Sequence, residues 1–318
     1  MYYWLIPLFL GLALLILGIL YYCYRRVFYS KPRVPSDEIM IPPGEEYDKY
    51  RQIITDWIKI VRRTEHLDVE IRSFDGLALK AKYFEYEKGA PIEILFHGYR
   101  GTAERDTAGG VLRCFEVGHS VLLVEQRASG NSEGSVITFG INERRDCHSW
   151  IDFVLRELDP NARIILSGVS MGAATVMMTA GDELPRNVVG VLADCGYTSP
   201  KEIIKKVIAD MHLPPRLVYP FVKLSARIFG GFDLEENSPI EAVRRAKVPI
   251  IFFHGDVDDF VPHEMSIRNY EACVSEKRMV TIEGAAHGLA FPVNEKKYVD
   301  EVRAFFDPIT SKKPKNDN

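Results

Sequence analysis

Ser170, within Gly168-Val169-Ser170-Met171-Gly172, is the side chain best placed in this sequence to act as a nucleophile. The pentapeptide follows the apolar run Ile164-Ile165-Leu166 and precedes Ala173-Ala174-Thr175-Val176-Met177-Met178, which reads as strand, sharp turn and helix. Glycines on both sides let the backbone turn tightly without a Cβ clash, so the hydroxyl projects where a base and a substrate can reach it. A serine attacks a carbonyl only with a base to take its proton and an acid to orient that base. His287, in Gly284-Ala285-Ala286-His287-Gly288 after the predicted strand Met279 to Ile282, supplies the base. An acid sits in Asp256-Val257-Asp258-Asp259, just past the apolar run Val248 to Phe253. Asp258 is preferred, and Asp256 and Asp259 are competitors that periodicity does not separate.

The negative charge that develops on the carbonyl oxygen needs fixed N–H donors. His97-Gly98-Tyr99-Arg100-Gly101 follows the predicted strand Ile92 to Phe96, and chain reversal there aims the Tyr99 N–H, paired with the Met171 N–H, at such an oxyanion. The bland alternative is an ordinary Gly-rich turn. His97 reads as a structural hydrogen-bonding residue. The resulting chemistry is acyl transfer to water, which needs no metal and no organic cofactor.

These residues must be carried by a scaffold. Leu67 to Ser73 and Leu77 to Tyr86 flank the turn dipeptide Asp75-Gly76 and predict a hairpin at a sheet edge. Apolar runs then alternate with helical stretches: Ile92 to Phe96, Val121 to Val124, Ile164 to Leu166, Val188 to Ala193, Val248 to Phe253 and Met279 to Ile282. That order predicts an α/β fold, a mostly parallel central sheet with helices on both faces. Loops leaving the C-terminal strand ends, including Gln126 to Gly134, fall where ligands bind in open α/β sheets; within that loop Arg127 is read as a brace. Asn142 to Glu157 predicts a helix turned to the sheet, and Asn294 to Phe306 a closing one. Residues 201–245 read as a helical cap insertion, broken by Pro214, Pro215, Pro220 and Pro239, that narrows and lines an acyl or alcohol pocket.

Residues 2–24 contain no charged side chain and, at about 1.5 Å per residue, reach across a hydrocarbon core of about 30 Å. They predict a transmembrane helix, with Tyr2, Tyr3 and Trp4 at one end and Tyr21, Tyr22 and Tyr24 at the other as aromatic belts. A cleaved signal peptide is the rival reading, weakened because no basic region precedes the run and no Ala-x-Ala site follows it. Arg25, Arg26, Lys31 and Arg33 lie just after the span, which points to a single-pass membrane protein with its catalytic domain on the cytoplasmic side. Cys23 at the membrane edge reads as a buried or lipid-facing thiol. A proline-rich stalk, Lys31 to Gly44, and an amphipathic helix, Tyr47 to Arg63 with Trp57 as a core anchor, lead to the domain. The expected organisation is an anchor over residues 1–26, linker and helix over 27–66, the catalytic domain over 67–306 and a flexible tail over 307–318.

The part from about residue 67 to 306 resembles an α/β-hydrolase. The resemblance rests on His97-Gly98-Tyr99-Arg100-Gly101 (oxyanion turn), Gln126-Arg127-Ala128-Ser129-Gly130-Asn131-Ser132 (Asp-x-Arg-Gly-x-Gly-x-Ser loop), the Gly-Val-Ser-Met-Gly elbow, His254-Gly255-x-x-Asp258-x-x-Val261-Pro262, and Gly284-x-x-His287. The last two imply Asp258 over its neighbours and His287 as base. The chain departs from the pattern where Glu125 replaces an aspartate, Ala128 a glycine and Ser129 a histidine, which bears on substrate type more than on catalysis. The resemblance is to membrane-anchored bacterial hydrolases and, more distantly, to thioesterases that remove palmitate from proteins. It implies a serine hydrolase of small-molecule or lipid-like esters or thioesters. A peptidase shares the same triad, and a silent membrane-tethered scaffold shares the same fold.

Composition narrows the classes further. A chain of 318 residues with 47% hydrophobic and 26% charged residues has an ample core. A net charge of −4 and no basic stripe argue against nucleic acid as a partner. The five scattered cysteines form no CxxC pair, so neither a disulfide framework nor a zinc site is indicated.

Overall fold

The computed structural model describes residues 5–31, 39, 41–42 and 44–310. Tyr2, Tyr3 and Trp4 of the expected first belt, most of the proline-rich stalk and residues 311–318 of the tail lie outside these residues. Helix α1 spans Leu5–Val27, and its Ile6–Val27 portion is long and apolar enough to cross a membrane. The expected amphipathic helix is two pieces, α2 (Glu45–Asp48) and α3 (Arg51–Arg63), separated at Lys49 and Tyr50. In α3, Trp57, Ile58 and Val61 are buried, and α3 packs on α4 (Ala103–Glu116).

Eight strands form one sheet: β1 (Leu67–Arg72), β2 (Ala78–Phe84), β3 (Ile92–Phe96), β4 (Ser120–Glu125), β5 (Ile164–Val169), β6 (Val188–Asp194), β7 (Ile250–Gly255) and β8 (Lys277–Ile282). Their order is β1-β2-β4-β3-β5-β6-β7-β8; β2 runs antiparallel to both β1 and β4, and all other neighbours are parallel. The hairpin therefore stands at the edge, and the largely apolar strands β3, β5 and β7 are buried on both faces as a parallel sheet requires.

Helices α5 (Ile141–Phe153), α6 (Met171–Ala180) and α9 (Pro239–Val243) share a core with the sheet around Trp150, Ile164, Phe96 and Phe252. On the other side α12 (Glu295–Thr310) buries Tyr298, Val302 and Phe306 against Ile165, Leu192 and Phe253. It continues four residues past the expected end at Phe306, so residues 307–310 are helix and not flexible tail. Helix α5 ends in a π-turn over Val154–Leu158. Shorter helices α10 (His263–Ala272) and α11 (Ala290–Val293) flank β8.

Residues 201–245 include most of α7 (Pro200–Asp210), α8 (Pro215–Ser225) and a π-turn over Ala226–Gly230. Pro215 and Pro239 open helices at their first turn, as the missing N–H permits. Pro220, by contrast, lies inside α8 on its exposed side and does not break it. This segment does not pack where expected. Tyr219, Val222, Ala226 and Phe232 form a cluster with Cys23, Tyr24 and Phe28, so the insertion clasps the end of α1. Side chains from Ile6 through Ile19 are exposed, whereas Leu20, Cys23, Tyr24 and Phe28 are buried. After α1 the chain pairs antiparallel with residues 135–137: Ser30 N–H donates to Ser135 at 2.9 Å and Ile137 N–H to Phe28 at 2.8 Å.

Candidate active site

The sheet brings five strand ends together. Phe96 of β3 is level with Gly168 of β5, Val169 with Asp194 of β6, Asp194 with Phe253 of β7, and Gly255 with Ile282 of β8. The chain leaves β3 for β4 on one side and β5 lies on the other, so the turns after β3 and β5 diverge at a topological switch point. Residue 170 caps β5 there in a sparsely populated conformation, φ 57° and ψ −114°. The Ser170 N–H donates to the Asp194 carbonyl at 2.8 Å, which holds the turn. Both glycines are dictated by space: a Cβ on Gly168 would lie 2.2 Å from the Gly172 backbone, and one on Gly172 would lie 2.0 Å from the Phe96 carbonyl oxygen.

His287 Nε2 lies 3.0 Å from Ser170 Oγ, and His287 Nδ1 lies 2.7 Å from Asp258 Oδ2. Three residues from three separate loops thus form one hydrogen-bonded line. The other Asp258 oxygen accepts the N–H groups of Phe260 at 3.0 Å and Val261 at 2.8 Å, which fixes the carboxylate plane. Burial alone would raise the Asp258 pKa; hydrogen bonds and charge from the His254 and His287 rings outweigh it and hold the carboxyl well below the usual carboxylate range. An ionised Asp258 requires the proton on His287 Nδ1, leaving the Nε2 lone pair facing the serine hydroxyl. Asp256 and Asp259 are placed differently. Asp256 accepts the Gly284 N–H at 2.7 Å, Asp259 offers its backbone carbonyl to Lys206, and both side chains are exposed.

The turn after β3 is held by its neighbours. Gly98 N–H donates to Asp106 Oδ2 at 3.0 Å, and Gln126 donates its backbone N–H to His97 Nε2 at 3.1 Å and its amide to the His97 carbonyl at 2.6 Å. His97 is a buried brace, as read from sequence. Tyr99 Oη donates to the Val27 carbonyl at 2.7 Å, and Arg100, at φ 51°, donates to the carbonyls of Arg26 at 2.9 Å and Tyr29 at 3.0 Å. A Cβ on Gly98 would sit 3.5 Å from Ser170 Cβ, so this turn lies directly against the serine. Tyr99 follows Gly98, and Met171 opens α6, where the first four N–H groups have no partner within the helix. Arg127 braces, donating to Asp146 at 2.6 and 2.7 Å and to Asp75 at 3.0 and 3.1 Å.

Several contributors were not singled out from sequence. Tyr47 Oη donates to the His287 carbonyl at 2.9 Å, the Phe260 ring lies 4.9 Å from the His287 ring, and His254 Nε2 sits 3.1 Å from Asp258 Oδ2. His254 was visible as the first residue of its motif; Tyr47, far away in the chain, left no local signal.

A cavity of about 210 Å³ opens beside Ser170 and His287. Ile54 and Trp57 of α3, Leu95, Phe260, Leu289 and Phe291 supply its apolar wall, and Arg113, Ser167, Asp194 and Tyr298 its polar end. None of residues 201–245 lines it, so the expected cap-lined pocket is corrected: the Tyr219 and Val222 face of α8 packs on α1, and α3 supplies a cavity wall instead. Trp57, expected as a core anchor, is buried but also faces this cavity. Beneath it Arg113 chelates Glu93 at 3.0 and 2.6 Å, and His119 and Ser167 contact the same carboxylate at 2.7 Å each. Cys195 also approaches Asp258 and His287, but burial pushes its thiol well above the usual range and the other two are already hydrogen-bonded to each other.

No family profile matches the chain. Protein YqkD of Bacillus subtilis is 25% identical over 193 residues, covering 60% of this chain and 63% of the relative. The chain thus spans less than two thirds of that protein's length. Protein MT2364 of Mycobacterium tuberculosis is 25% identical over 286 residues, covering 88% and 86%. Among solved structures, the Pyrococcus furiosus esterase Pf2001 superposes with a TM-score of 0.67 at 20% identity, covering 89% of this chain and 98% of that one. The chain has the α/β-hydrolase fold. The turn at Ser170 follows β5, and the loops bearing Asp258 and His287 follow β7 and β8.

Proposed function

We propose that this protein is a serine hydrolase that cleaves carboxylic esters or thioesters through an acyl-enzyme. One observation carries the reading: the continuous line Ser170 Oγ, His287 Nε2, His287 Nδ1, Asp258 Oδ2, with contacts of 3.0 and 2.7 Å. Ser170 attacks the carbonyl as His287 takes its proton, Asp258 orients and stabilises the charged ring, and the Tyr99 and Met171 N–H groups hold the oxyanion. His287 then protonates the leaving alcohol or thiol, and water repeats the sequence on the acyl-enzyme. An ester is favoured because Pf2001, a structure of the same fold, is an esterase. The cavity of about 210 Å³ is below the roughly 300–1,000 Å³ of drug-sized pockets, which favours a short acyl group. Ser170→Ala should abolish turnover of a short-chain p-nitrophenyl ester and labelling by a fluorophosphonate, with the thermal transition retained. Undiminished turnover or labelling refutes the reading.

We propose further that α1 is a retained single-pass anchor with the catalytic domain on the cytoplasmic side. Retention is supported by Leu20, Cys23, Tyr24 and Phe28, whose burial makes the end of α1 part of the domain's interior. Orientation is supported by Arg25 and Arg26 at its domain end. A C-terminal reporter active only outside the cytoplasm would overturn the orientation.

A further inference from the structure

α8 and the π-turn after it carry an apolar stripe that no part of the described chain covers. Leu217, Phe221, Leu224 and Ile228 recur at i, i+4, i+7 and i+11 and are 68%, 37%, 44% and 52% exposed. Met211 and Leu213, just ahead of α8, extend it at 56% and 43% exposed. Isolated exposed apolar residues are ordinary on a protein surface, whereas a continuous row of large ones marks a contact surface. The adjoining face of the same helix, with Tyr219 and Val222, is buried against the end of α1. Arg216, Lys223 and Arg227 lie on the third side, where Lys223 pairs with Glu235 at 2.9 Å and Arg227 with Asp233 at 3.0 Å.

The position of the stripe identifies what covers it. Phe229, next to Ile228, packs on Tyr21 at 5.4 Å and on Tyr24 at 5.7 Å. That is the turn at which α1 passes from exposed apolar side chains, Ile6 to Ile19, to buried ones. The stripe is therefore continuous with the apolar surface of α1 at the level where a span meets headgroups, and an apolar stripe flanked by cations is the pattern of a helix lying in a bilayer interface.

We propose that α8 and residues 226–230 form a second bilayer contact, inserting Leu217, Phe221, Leu224 and Ile228 into the interface beside α1. The inference rests on the reading of α1 as a retained span. It makes the domain a body seated on the membrane with a fixed face, in place of one swinging from a stalk.

The test uses the full chain in vesicles of phosphatidylcholine and phosphatidylglycerol. Phe221→Cys and Leu224→Cys are labelled with an environment-sensitive fluorophore, with Leu12→Cys as the span control and Glu87→Cys as the aqueous one; the five native cysteines are all buried, and the labelled wild type gives the blank. The expected result is blue-shifted emission at 221 and 224 with quenching by shallow doxyl lipids severalfold above that at 87. Quenching at 12 with 221 and 224 behaving like 87 overturns the proposal and leaves the span standing. No quenching at 12 overturns the span and the proposal with it. Probes at 221 and 224 shielded from both lipid and aqueous quenchers, with chains cross-linking through Phe221→Cys, would mean that a second copy occupies the stripe, which also overturns it.

Discussion

The phenolic hydroxyl of Tyr47 donates a 2.9 Å hydrogen bond to the backbone carbonyl of His287, tying a helix that precedes the sheet to the loop after its last strand. Both residues border the cavity. Tyr47→Phe keeps the ring and removes the bond, a change of about 1 kcal/mol. The expected outcome is a loss of about fivefold in kcat/KM with the thermal transition nearly unchanged. A lowered transition with intact kcat/KM would make Tyr47 a packing residue only.

Three aspartates stand within four positions, and their environments give them different fates. Asp258→Asn removes the charge that sets the His287 tautomer and should lower kcat by roughly 10⁴-fold, the scale seen when a triad acid is made an amide elsewhere. Asp256→Asn and Asp259→Asn, at exposed positions, should stay within about a fewfold of the parent. Steady-state kinetics on one ester separates the three variants.

Glu93 is completely buried and faces Arg113, His119 and Ser167. Burial would raise its pKa, but the Arg113 charge and the His119 hydrogen bond overcome it and hold the carboxyl well below its usual range. A depressed folded-state pKa contributes stability that is complete above the unfolded carboxylate value of about 4 and is lost as pH falls toward the folded value. Thermal melts should therefore show stability dropping below about pH 4. Glu93→Gln leaves Arg113 buried without its counter-charge, which costs about 3–5 kcal/mol, and the acid slope of the variant should be shallower.

Gly110 lies on α4 at the cavity wall, and a Cβ there would meet Leu95 at 3.4 Å, a near-ordinary contact. Gly110→Val should therefore fold and narrow the cavity. Across p-nitrophenyl esters of increasing acyl length, the parent should favour short chains and the variant still shorter ones. An unchanged profile would place the acyl group elsewhere.

How much of this was legible in the sequence depends on whether a feature was local. The strands were plain because a buried parallel strand is a largely apolar run, and the elbow was plain because the crossing of Gly168 and Gly172 admits no side chain. That Ser170 and His287 meet an acid of the Asp256 to Asp259 loop followed from the order of strands and loops, whereas the preference for Asp258 came from the resemblance of its motif. What escaped was set by packing between distant segments. The break at Lys49 and Tyr50, which lets Tyr47 reach His287, has no marker in its own residues. The apolar residues of 201–245 announced a partner without saying which, and the partner proved to be α1 in place of a substrate.

The hydrogen bonds from Tyr99 to Val27 and from Arg100 to Arg26 and Tyr29 bind the turn after β3 to the end of α1 and the residues just past it. Clipping the protein near residue 30 would thus pull Phe28 out of its socket and loosen the turn that lies against Ser170. A newly made chain therefore cannot complete the hydrogen bonding of this turn until α1 has docked beside it.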